Sequence, residues 1–227
     1  MKKLIIGAVA SLAAAANAGA QDIDSDFQAW NALAIAGPVK DDGRFLLWFD
    51  AHARFRDDAS DLGVSILRPA VGWRVNSNLD VWAGYARVVS RASGRANIEE
   101  DRTWQQATYS LPSILNSSLS GRSRLEQRYR ETGDDTGWRF RQFVRWAKPI
   151  NESPFSIVVW DELFLNINDA DWGQRGGFDQ NRLFVGAAWH VSDNARFEGG
   201  YLNNILDTPT SEEQINHNLS LTLFWSL

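Results

Sequence analysis

The sequence predicts an all-β chain: a transmembrane antiparallel up-and-down β-barrel of 10–12 strands, with short periplasmic turns and longer extracellular loops. Three observations carry this expectation. Apolar and polar residues alternate with period two over segments of mostly 10 to 15 residues, no later segment has the apolar length of a membrane helix, and the links switch between tight turns and longer acidic loops. A helix cannot use period two, because its faces recur every 3.6 residues, whereas a strand sends successive side chains to opposite faces. Strands of soluble sheets usually run about 5–6 residues, while a tilted membrane strand needs roughly 9–11 in the hydrocarbon.

The first element is a leader. Met1-Lys2-Lys3 is basic, Leu4 to Ala16 is apolar and Ala-rich, and Ala18-Gly19-Ala20 fits a small-x-small cleavage site. Residues 1–20 are therefore expected to be a cleaved signal peptide and residues 21–227 the barrel domain. Removing Lys2 and Lys3 leaves 21 basic and 28 acidic residues, a net charge of −7.

Strand-like segments follow near 27–36, 44–56, 64–75, 79–91, 99–111, 117–130, 138–148, 155–167, 178–191, 195–206 and 214–227. In the second, Phe45, Leu47, Phe49, Ala51, Ala53 and Phe55 alternate with Leu46, Trp48, Asp50, His52, Arg54 and Arg56. In the sixth, Leu119, Gly121, Ser123, Leu125, Gln127 and Tyr129 oppose Ser120, Arg122, Arg124, Glu126, Arg128 and Arg130. The seventh sets Trp138, Phe140, Val144 and Trp146 against Arg139, Arg141 and Arg145. The last sets Leu219, Leu221, Leu223, Trp225 and Leu227 against Asn218, Ser220, Thr222 and Ser226. Trp73, Trp138, Trp146, Trp189 and Trp225 lie near strand ends on the apolar face, where interfacial girdles sit, while Trp48, Trp82 and Trp160 fall on the polar face. The turns 76–78 and 192–194 are expected at the periplasmic end, and the acidic links 56–61, 131–137 and 168–173 outside. Eleven segments is an odd count where bacterial single-chain barrels are even, so an incomplete first strand or a missed strand is expected.

Composition narrows the function classes. The 227 residues include no Cys, which excludes disulfides and thiolate sites, and only three His (His52, His190 and His217), too few for a His-rich metal site. A net charge of −5 argues against a general nucleic-acid binder, and 44% apolar residues against disorder. A soluble β-sandwich or lipocalin-like barrel is the competing architecture, but it would turn its charges outward and does not account for the long strands.

The basic residues are 19 Arg against four Lys. If the apolar faces point outward, the barrel interior receives the arginines, whose planar fork suits carboxylates and other anions. The candidate lumen and solute-binding residues are Arg54, Arg68, Arg122, Arg124, Glu126, Arg128, Arg139, Arg141, Glu162, Gln180 and Arg182, in company with Arg102, Arg145, Asp50 and Glu198. Arg182 is expected to pair with Glu162 on the preceding strand. Asp161 falls on the outward face, which suggests a bulge there or a position near the interface. Two roles stay open: charges that neutralise one another and plug the barrel, or a narrow pathway favouring small anionic molecules. A lipid-modifying enzyme is a third. His52 lies between Asp50 and Arg54 on its own face, but no Gly-x-Ser-x-Gly or His-Glu-x-x-His string occurs. No catalytic residue is assigned, and no cofactor or metal is expected.

The strings Asp26-Phe27-Gln28-Ala29-Trp30, Arg124-Leu125-Glu126-Gln127-Arg128, Trp138-Arg139-Phe140-Arg141-Gln142, Asp161-Glu162-Leu163-Phe164, Phe178-Asp179-Gln180-Asn181-Arg182 and Gly200-Tyr201-Leu202-Asn203 carry a resemblance across nearly the whole mature chain. The chain resembles the family called "domain of unknown function twenty-four-ninety". The resemblance implies a Gram-negative outer-membrane barrel exported through the periplasm, with no settled activity and no catalytic residues to transfer. The expected partners are outer-membrane lipids and lipopolysaccharide, a small anionic solute, and the barrel-assembly machinery reading the C-terminal strand; nucleic acid is not among them.

Overall fold

The computed structural model describes residues 25–39, 43–91, 94–207 and 214–227, so the signal-peptide expectation for residues 1–20 lies outside the described residues. Eleven strands account for most of it: β1 (Ser25–Pro38), β2 (Phe45–Arg56), β3 (Asp61–Asn76), β4 (Leu79–Ser90), β5 (Ile98–Leu111), β6 (Ser118–Arg130), β7 (Thr136–Pro149), β8 (Phe155–Asn166), β9 (Gly177–His190), β10 (Ala195–Leu206) and β11 (Gln214–Ser226). They run from 12 to 16 residues. Their boundaries follow the segments of period-two alternation to within about three residues, because that signal is local to each strand.

Neighbours in sequence pair antiparallel, and the sheet closes through β1 and β11. That closing ladder is parallel, running from Ser25↔Ile215 to Ala36↔Ser226. The parity puzzle resolves here. An up-and-down chain with an odd number of strands brings its last strand back pointing the same way as its first, so the closing pair has to be parallel. The expected incomplete or missing strand is not found: β1 is a full strand of 14 residues, and no twelfth strand occurs among the described residues. Closure also leaves no unpaired edge.

The tight links 77–78 and 191–194 lie at one end with Leu227, and the acidic links 57–60, 131–135 and 167–176 at the other, with the start of β1. The contrast in length is weaker than the alternation of links suggested, since 112–117 at the tight-turn end is longer than 57–60.

The two faces separate as alternation requires. Leu46 is 1% and Asp50 3% exposed, while their neighbours Phe45, Leu47 and Phe49 are each 38% exposed. Leu67, Val71, Trp73, Val185, Trp189, Leu223 and Trp225 continue an apolar exterior around the barrel. Soluble monomers rarely expose more than a few hundred Å² of contiguous apolar surface, and a soluble barrel would show the reverse arrangement. Trp73, Trp138, Trp189 and Trp225 stand on this exterior and Trp146 is half-buried on it. Trp48 and Trp82 meet edge-on inside at 5.5 Å, and Trp160 stacks on Phe184 at 5.1 Å.

Indoles on the inner face need room, and glycines on adjacent strands supply it. A Cβ on Gly84 would stand 2.3 Å from the Trp104 ring, and one on Gly72 would stand 2.4 Å from Trp82. Trp104 and Trp82 join Leu46, Ile66, Ala70, Ala86 and Val88 in one buried apolar cluster along β2–β5.

Candidate functional site

The barrel encloses a cavity of about 1240 Å³. Its lining includes fourteen arginines against six carboxylates (Asp50, Asp80, Glu100, Glu162, Asp179 and Glu198), a surplus of eight positive charges inside a chain of net charge −5. Arg54, Arg68, Arg122, Arg128, Arg139, Arg141, Glu162, Gln180 and Arg182 all line it. Arg124 and Glu126 do not; both are 1% exposed and packed beneath the lining.

Strand alternation on β6, β7 and β8 builds a continuous ion-pair chain. Asp179 accepts from Arg139 Nη1 at 2.9 Å, and Arg139 Nη2 donates to Glu126 at 2.6 Å. Glu126 also accepts from Arg141 Nη1 at 2.6 Å. Arg141 then donates to Glu162 at 2.7 Å, as does Arg122 at 2.6 Å. Glu126 and Glu162 thus each serve two guanidiniums, the condition under which charges stay buried. Nearby, Glu100 accepts from both Arg102 and Arg128 at 2.6 Å. Glu198 accepts from Arg145 and ion-pairs with Arg196. On β2 and β3, Asp50 accepts from Arg68 Nε at 2.9 Å, and His52 lies 3.2 Å from Asp50 and 3.1 Å from Arg68 Nη2.

The expected Arg182–Glu162 pair is not made, although the two residues face each other across β8 and β9. Arg122 and Arg141 take Glu162, and Arg182 donates instead to Asn204 at 3.3 Å and Gln180 at 2.9 Å. Nor does the expected bulge fall at Asp161, whose outward carboxylate simply accepts from Asn181 at 3.0 Å. The register instead slips between Phe164 and Leu165, opposite Gln180 and Phe178. The extra residue is Asp179, and the bulge turns it inward beside Gln180.

Aromatic rings interleave with the guanidiniums. Arg141 and Arg182 pack on Phe164 at 4.4 and 4.5 Å, and Arg182 and Arg54 pack on Trp30 at 4.8 and 3.9 Å. Trp30 was absent from the sequence-based candidates because both faces of β1 are mostly uncharged, so alternation gives no contrast there. Glu100 shares the inward face of β5 with Arg102 and was open to the same parity argument.

At the acidic end, link 167–176 folds onto link 131–135. Asp171 accepts backbone N–H bonds from Asp134 at 2.9 Å and Asp135 at 3.2 Å, which hold its carboxyl below the usual Asp range. Trp172 donates to the Asp135 carbonyl at 2.8 Å and lies 5.0 Å from Arg128.

The histidines make no nucleophile–base–acid arrangement among the described residues. His52 holds Asp50 and Arg68, His217 meets Tyr201 on the exterior at 2.5 Å, and His190 meets Ser156 at 3.4 Å with no carboxylate bound to it.

Residues 27–216 match the family described as "Protein of unknown function (DUF2490)". An uncharacterized protein of Methylorubrum extorquens is 36% identical over 225 residues, covering 98% of this chain and 96% of its own length. The family match spans most of the chain, and the chain belongs to the DUF2490 family.

Proposed function

We propose that this barrel resides in the outer membrane of a Gram-negative cell, reached through the periplasm by way of the leader at residues 1–20, and acts as a narrow channel for small anionic molecules. The apolar exterior meets lipid and lipopolysaccharide there, and β11, with Leu219, Leu223 and Trp225 outward, is the segment read by the barrel-assembly machinery. The observation that carries the reading is the arginine surplus of the cavity lining. Rings of arginine favour anions over cations. Barrels of about eight strands are filled by side chains and those of 16–18 hold wide aqueous channels, so eleven strands with large inward side chains leave a narrow path.

Planar-bilayer recording of the purified protein tests it. Discrete conductance with a reversal potential displaced toward the anion equilibrium potential in a salt gradient is expected; cation preference overturns the reading. A plugged structural or binding barrel is the second reading, favoured by the ion-pair chain from Asp179 to Arg122. Absence of current at every salt concentration would decide for it.

A further inference from the structure

Two guanidiniums that meet at one ring in the lumen lack the carboxylate partner that Arg68 and Arg141 have. Arg68 closes on Asp50 at 2.9 Å and Arg141 on Glu162 at 2.7 Å. The Arg54 guanidinium makes no hydrogen bond or ion pair to any described residue, its Nε is buried without a partner, and it packs on the face of Trp30 at 3.9 Å. Arg182 is 9% exposed and donates only to the neutral side chains of Asn204 and Gln180. Both line the cavity and pack on Trp30.

We propose that Arg54 and Arg182, held by Trp30, form a binding site for a phosphate-class oxyanion inside the barrel. The proposal rests on the reading of the lumen as an anion pathway and names where, and for which chemistry, that pathway is selective. Both guanidinium carbons are measured to the same ring centroid, at 3.9 and 4.8 Å, so they stand no farther apart than the two distances laid end to end, 8.7 Å. An oxyanion centre sits about 4 Å from a guanidinium carbon when N–H and O are in hydrogen-bond contact, so one anion spans two forks up to about 8 Å apart, close to the largest separation this geometry allows. The two forks come from β2 and β9, separated by β10, β11 and β1 around the wall. A monocarboxylate presents both oxygens on one side and suits a single fork, whereas a tetrahedral oxyanion presents oxygens toward both strands. Trp30 is the positioning residue. It reaches Arg182 past β10 and β11, whose inward Asn204 and Asn216 are short.

Titration calorimetry of the purified protein in detergent micelles, with inorganic phosphate and with acetate, tests the site without requiring conduction. Saturable phosphate binding at least tenfold tighter than acetate is expected. R54Q and R182Q should each weaken it at least tenfold, and W30L should weaken it while leaving the charges in place. R87Q, which removes the Arg87–Asp101 pair on the outer face, neither residue of which lines the cavity, should leave it unchanged. Circular dichroism and heat-modifiable gel mobility report folding of each variant; should R54Q fail to fold, R54K keeps the charge, loses the fork and should bind more weakly than wild type. No saturable phosphate binding by the folded wild type, or unchanged binding in R54Q and R182Q, overturns the site. Phosphate bound without current removes the channel and keeps the site; anion-selective current without phosphate binding removes the site and keeps the channel.

Discussion

The wall formed by β2–β4 and the wall formed by β6–β8 share strand length and pleat, yet their inner faces are filled by opposite chemistries. On the first, Leu46, Ile66, Ala70, Trp82, Ala86 and Val88 pack with Trp104 into an apolar cluster, interrupted by the Asp50–Arg68–His52 group. On the second, Arg122, Arg124, Glu126, Arg139, Arg141 and Glu162 are joined by ion pairs. The apolar wall is held by area removed from water and by contact, terms that are non-directional and not subject to ionic screening. The charged wall must first overcome the desolvation of every ion in it, and holds only where geometry returns that cost. The apolar wall should therefore respond to changes of volume, and the charged wall to the loss of a single partner.

The largest expected effect is at Glu126. Replacing it with Leu keeps apolar volume but leaves Arg139 and Arg141 facing a lost acceptor, and removal of one partner from a buried ion pair costs about 3–5 kcal/mol. Urea unfolding in lipid vesicles measures it; a cost under about 1 kcal/mol would mean that water already solvates this wall. Next comes Gly84→Val on the apolar wall. Its side chain enters space held by the Trp104 ring at 2.3 Å and Ala70 at 2.7 Å, and overpacking of this kind costs about 1–3 kcal/mol. The same unfolding experiment at low and high salt should give one value, and a salt-dependent penalty would contradict the division between the walls.

The smallest effect lies outside both walls, at the clasp between links 131–135 and 167–176. The backbone N–H groups of Asp134 and Asp135 depress the Asp171 carboxyl below its ordinary value of 3.8. A depressed acid contributes its stabilisation fully above the ordinary value and loses it as pH falls through the depressed one. Hydrogen exchange at the Asp134 and Asp135 amides should thus be protected near neutral pH and lose protection only below pH 3.8, after allowance for the intrinsic pH dependence of exchange. Asp171→Asn should remove that acid step while leaving barrel unfolding unchanged.

How much of this could be read beforehand follows the range of each signal. The eleven strands and their inward and outward residues were readable because β6 places Arg122, Arg124, Glu126, Arg128 and Arg130 on one parity and Leu119, Leu125 and Tyr129 on the other. β9 broke that parity: one extra residue at Asp179 reverses the face of a carboxylate, and a bulge has no mark in the alternation itself. β1 hid Trp30 for a different reason, since Asp26 is its only charged residue and its faces show little contrast.

Period and charge contrast by themselves determined the strands, the all-β class and the sidedness of most residues, because a pleated strand imposes its two-residue repeat on whatever sequence forms it. Only the closed barrel decided the parallel seam between β1 and β11, the choice of Arg141 and Arg122 over Arg182 as partners of Glu162, and the meeting of Arg54 and Arg182 at Trp30. Those outcomes depend on how residues far apart in the chain are staggered around a closed cylinder, and no local repeat encodes that stagger.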